Sequence, residues 1–167
     1  MIKTVVALAL TFLFLGCNSK SDEFTNVNAK LVIGQNLSKL TLNDQFEKSH
    51  TLSNTTTKVI FAFSKDAAHI CNDFFVTQIP TYLADNNTVF IADVSAAPSL
   101  IRSMFILPGL KDFKHTVLLL DDKAAAAPFR KDMDVEKIVV VSLNAGEITK
   151  VATLSTQKEL QATIEAP

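Results

Sequence analysis

Four short runs of nearly unbroken apolar residues restrict the folds open to this chain: Lys58 to Phe63 (KVIFAF), Thr88 to Val94 (TVFIADV), His115 to Asp121 (HTVLLLD) and Lys137 to Leu143 (KIVVVSL). Strands that are apolar at every position, not at alternate ones, must be covered on both faces. The covering layers are in the same sequence. Ala67 to Leu83 repeats apolar residues at helical spacing, with Ile70, Phe74, Phe75, Ile79 and Tyr82 on one broad face and Pro80 as a kink or restart. Ser99 to Phe105 reads as a short helix with Pro98 at its first turn, followed by a Leu107-Pro108-Gly109 turn. Thr156 to Glu165 reads as a C-terminal helix, Thr156 and Glu159 forming a capping box.

The remaining segments fill in the order. Leu40 to Leu52 reads as a weak hairpin around Asn43-Asp44-Gln45. Asp122 to Glu136 is an alanine-rich connection in which Ala124 to Ala127 forms a helical turn ended by Pro128. The run Lys137 to Leu154 reads as a β-hairpin turning at Asn144-Ala145-Gly146. Strands alternating with helices give parallel pairs, and the last hairpin adds antiparallel ones. The expected class is α/β, a mixed sheet with helices on both faces, preceded by an N-terminal hairpin.

The N-terminus carries a different signal. Lys3 is followed by an apolar run from Thr4 to Gly16 and then Cys17. A membrane-spanning helix needs about 20 apolar residues, whereas the apolar region of a signal peptide needs about 7–15. The segment Phe14 to Cys17 resembles the lipobox of bacterial lipoproteins, in which a small residue, here Gly16, precedes a cysteine that is lipidated. The resemblance implies residues 1–17 as signal peptide, a lipid anchor at Cys17, and a membrane partner reached through that anchor. Residues 18–30 (NSKSDEFTNVNAK) are polar and without hydrophobic period, and read as a tether, leaving 31–167 as the folded domain. Asn18, where an aspartate resembles an inner-membrane retention signal, points to the outer membrane facing the periplasm.

The net charge of −1 and the scattered Lys and Arg exclude a nucleic-acid surface. The chain has two cysteines, Cys17 and Cys71. With Cys17 lipidated, Cys71 has no internal disulfide partner.

The element order resembles the thioredoxin-like fold and its peroxiredoxin-like branch over most of residues 31–167. Lys58 to Cys71 is similar to the peroxidatic segment of that branch: a buried strand, a loop and a cysteine near a helix start. In that family's Pro-x-x-x-Thr-x-x-Cys motif, Ser64 stands at the proline, Ala68 at the threonine and Cys71 at the cysteine. The place of the family's arginine falls on His115. No Cys-x-x-Cys is present, so no second thiol could resolve a mixed disulfide. The cis-proline position of thioredoxin-like domains falls on His115 or on Ile138.

The candidate site residues follow. Cys71 is either a reactive thiol aided by His69 or His115, or a small buried hydrophobe, which free cysteine usually is. Cys71 with His69, His115 and Asp66 could also bind copper, although residues two apart on a helix diverge. The Ser64-Lys65-Asp66 loop follows the first central strand, where ligands bind in open α/β sheets, and Ser64 or Asp66 is equally a helix N-cap. His50 has no evident partner. Arg102, Phe105, Leu107 and Pro108 form a patch for an envelope protein partner or ordinary helix surface. The expected function is a lipid-anchored, non-catalytic binding module without cofactor or metal. The alternatives are a single-cysteine thiol or peroxide oxidoreductase, or a copper-binding lipoprotein.

Overall fold

The computed structural model describes residues 27–166. The expected signal peptide with Cys17, and the expected tether up to residue 26, lie outside the described residues. Two strands, β1 (Thr41–Asn43) and β2 (Ser49–Thr51), pair antiparallel as a small separate hairpin. The main sheet has five strands in the order β5-β4-β3-β6-β7: Leu118–Leu120, Thr88–Asp93, Lys58–Ala62, Ile138–Asn144 and Glu147–Leu154. Strand β4 runs parallel to both β3 and β5, while β6 is antiparallel to β3 and β7. This is the mixed sheet, preceded by a hairpin, that the order of apolar runs implies.

The unbroken apolar strands are explained by two cores that share one sheet. Successive residues of a strand point to opposite faces. Accordingly Ile60, Ala62, Phe90, Ala92, Ile138 and Val140 enter the first core, and Val59, Phe61, Ile91, Val139 and Val141 enter the second. The first is covered by α1 (Lys65–Phe75), α2 (Tyr82–Asp85), the 99–110 helix and α6 (Gln157–Glu165). The second is covered by α5 (Lys123–Arg130), through Ala126 and Phe129, and by Leu31, Leu37 and Leu52. Phe61 stacks between Phe63 and Phe129, with ring centroids 5.6 and 5.7 Å away.

Several local expectations are corrected. The helix restarts after Pro80 as α2, as expected, but a gap precedes it, because α1 already ends at Phe75. Ile79, expected on the apolar face, is exposed. The Leu107-Pro108-Gly109 turn is helical instead. The segments α3 (Ser99–Ile101), a π-helical stretch (Arg102–Ile106) and α4 (Leu107–Leu110) follow one another without a break. A π stretch inserts one residue into the helical period, and here it lets the chain pass through Pro108. Pro128 likewise does not end its helix, since α5 runs through it to Arg130. Its missing N–H costs one bond in the last turn, and its carbonyl is used by Lys30 N–H at 2.8 Å.

The edge strand β5 is short, and a side chain pairs with the backbone leading into it. The Gln45 amide donates from Nε2 to the His115 carbonyl at 2.9 Å and accepts the Val117 N–H at 2.9 Å. This substitutes for a neighbouring strand and occupies a sheet edge. Among the described residues no helix is long and apolar enough to cross a membrane.

Candidate functional site

The carboxyl ends of β3 and β4 define the place where an α/β sheet of this kind presents chemistry. At the end of β3, Ser64 is the N-cap of α1, its Oγ accepting the Ala67 N–H at 3.3 Å. Lys65, Asp66 and His69 are exposed on the first turns. The segment expected as a loop is thus the start of α1, Lys65 and Asp66 being its first two residues, and Ser64, not Asp66, makes the cap.

Cys71 lies in the second turn of α1 and is 0% exposed, in the core beside the sheet. Burial pushes its thiol well above the ordinary cysteine range. His69 is exposed while Cys71 is fully buried, so the two side chains diverge. Among the described residues no three His, Cys, Asp or Glu side chains gather in a metal-holding cluster.

His115 is 4% exposed and sits just before β5. Its Nε2 donates to the Asn72 Oδ1 at 3.0 Å, and its ring stacks on Phe113 at 5.0 Å and tilts against Phe75 at 5.3 Å. Desolvation pushes its pKa down to about 4, so it is a neutral imidazole at pH 7. This is a core histidine that bonds the residue next to Cys71. The strand antiparallel to β3 is β6, which starts at Ile138.

His50, expected to be alone, is paired. Its Nε2 lies 2.7 Å from the Asp44 Oδ2, and the other Asp44 oxygen accepts the Phe46 and Lys48 N–H groups. Burial raises the Asp44 carboxyl, but these bonds outweigh it and hold the group below its usual value. The pair closes the β1–β2 turn.

Sequence reasoning missed one charged group. At the end of β4 the Asp93 side chain is fully buried. Its Oδ1 accepts the Ser95 N–H at 2.8 Å, and its Oδ2 faces the Arg130 Nη1 at 3.5 Å. Neither Asp93 Oδ2 nor Ser95 Oγ has a hydrogen-bond partner among the described residues. Asp93 ends an apolar run and Arg130 ends α5, 37 residues on, so no local pattern links them. Arg130 also lines a hollow of about 420 Å³ with Lys123, Lys131 and Ala96. The carboxyl end thus offers a capped helix start, a buried carboxylate and a group of cations, and among the described residues no accessible thiol.

Known structures share this architecture. A candidate protein disulfide isomerase from Bacteroides thetaiotaomicron superposes with a TM-score of 0.54 at 17% identity, over 83% of this chain and 89% of that one. The thioredoxin domain of a thiol-disulfide oxidoreductase from Bacteroides vulgatus gives 0.51 at 18%, over 81% and 96%. A secreted disulfide oxidoreductase from Mycobacterium tuberculosis gives 0.50 at 12%, over 77% and 96%. No protein-family model matches the chain, and no curated protein does. At these identities the likeness shows a thioredoxin-like fold and nothing finer.

Proposed function

We propose that this thioredoxin-like domain is a non-catalytic binding module, held in the bacterial envelope by a lipid on Cys17. One observation carries the first half: the chain's second cysteine, Cys71, is wholly buried in the second turn of α1, and the N-cap and first turn bear Ser64, Lys65, Asp66 and Ala67 where an attacking thiolate would have to stand. The thiolate is the nucleophile in disulfide and peroxide chemistry, and it forms where cations or a helix start favour it. Cys71 has neither exposure nor such support. A partner would meet the carboxyl end of the sheet, at Lys65, Asp66 and the Lys123–Arg130–Lys131 hollow. The second half rests on the Leu15-Gly16-Cys17 segment and its place after an apolar run.

The test is turnover. The protein is offered an insulin disulfide with dithiothreitol and, separately, hydrogen peroxide, beside Cys71→Ala. Rates equal to each other and to the protein-free background are expected. A faster rate that disappears in Cys71→Ala would make the protein a one-cysteine oxidoreductase.

A further inference from the structure

The helix from Ser99 to Leu110 presents an apolar outer surface at the same end of the molecule as the tether. Leu100, Met104 and Phe105 are 64%, 59% and 65% exposed, and Ile101 is exposed beside them. In the twelve residues 99–110 the one charged side chain is Arg102, and its Nη1 is turned inward to the Val94 carbonyl at 3.4 Å. The inner stripe, Ile106, Leu107 and Leu110, packs on the first core, and the outer residues stand outside it. A contiguous apolar surface of this kind is a contact surface.

The position of the chain's entry decides what it contacts. Val27 lines one hollow together with Ala96, Lys123 and Arg130. Ala96 is three residues before Ser99, so the apolar helix begins within ~11 Å of the Ala96 Cα. Cys17 is ten residues before Val27, so a lipid on Cys17 holds this end within ~36 Å of the bilayer surface. Asp121 and Asp122 stand beside Lys123, offsetting the cations here, so apolar contact and not charge dominates.

We infer that the domain lies on the bilayer that anchors it, with Leu100, Ile101, Met104 and Phe105 in the interfacial region. This deepens the anchored reading and rests on it. Exposed apolar side chains on one helical face enter the headgroup–acyl boundary.

The chain contains no tryptophan, so a single introduced one is a clean probe. Full-length lipoprotein carrying Phe105→Trp, or Leu100→Trp as a second variant on the same surface, is reconstituted in phosphatidylcholine vesicles with and without brominated acyl chains. Ile79→Trp, exposed beyond the far end of α1, serves as control. The expected result is emission roughly halved by bromine at 105 and 100, unchanged at 79, and insensitive to added salt. Mass spectrometry of the same samples reads the acylation of Cys17. Acylated Cys17 with unquenched emission at both 105 and 100 overturns the docking and leaves the anchor. Blue-shifted but unquenched emission also overturns it, and assigns the surface to a protein contact. Unmodified Cys17 removes the tether and the inference with it.

Discussion

Single residues at the carboxyl end of the sheet carry the electrostatic consequences of the fold. His115 is neutral in the folded state, its pKa pushed down to about 4 by burial, against about 6.5 in an unfolded chain. Below pH 6.5 the unfolded chain takes up a proton that the folded one refuses, so stability is full above pH 6.5 and falls as pH drops towards 4. The loss is at most about 3 kcal/mol. Urea midpoints measured from pH 7.5 to 4 should show this slope in the parent and a flatter profile in His115→Gln. Asp44, held below its usual value, adds its own loss only under pH 4. The Asp93–Arg130 pair gives a second prediction. Arg130→Ala leaves a fully buried carboxylate without its cation and should cost on the order of 2 kcal/mol, between exposed and buried pairs. Adding Asp93→Asn should restore most of that in the same denaturation assay. His50 shows what was hidden at this scale. Its carboxylate partner is only six residues away, yet a turn cluster gives no sign of which side chains face each other.

At the scale of elements, the terminal hairpin was the most legible part. Asn144-Ala145-Gly146 between two β-rich runs marks a two-residue turn, and Ala145 and Gly146 both take positive φ, 49° and 84°, as a type I′ turn requires. The two positions differ in consequence. A Cβ on Gly146 would stand 2.7 Å from the Ser38 Cβ, in addition to the φ penalty. Gly146→Ala should therefore destabilise by about 1–3 kcal/mol. Ala145→Asn, which suits positive φ, should raise the thermal midpoint with a gain of about 0.5–1 kcal/mol. The capping box of α6 was equally legible, because Thr156 and Glu159 act within one turn, and both of its bonds are present. The 99–110 helix was not. Pro108 and Gly109 are turn residues by local preference, but Ile106, Leu107 and Leu110 gain burial against the first core, and that outweighs the local cost.

For the whole molecule, the proposed anchor predicts the largest change from one atom. Cys17→Ser should leave folding of residues 27–166 untouched, as judged by an unchanged melting curve. It should move the protein from the membrane pellet to the soluble fraction of broken cells, or block its processing, read as a shift in mass. Acyl chains contribute about 0.8 kcal/mol per buried CH2, so a hydroxyl there cannot substitute.

The sequence by itself determined the class of fold, because runs such as Val59 to Phe63 that are apolar at every position leave no solution except a sheet covered on both sides. It also determined the absence of a Cys-x-x-Cys motif, since that is a matter of which residues stand where. Only the tertiary structure decided whether Cys71 reaches solvent, that His115 is a core residue bonded to Asn72, and that Asp93 meets Arg130. The reason is physical: periodicity records which face of an element is apolar, whereas burial and charge pairing depend on which distant elements are laid against that face.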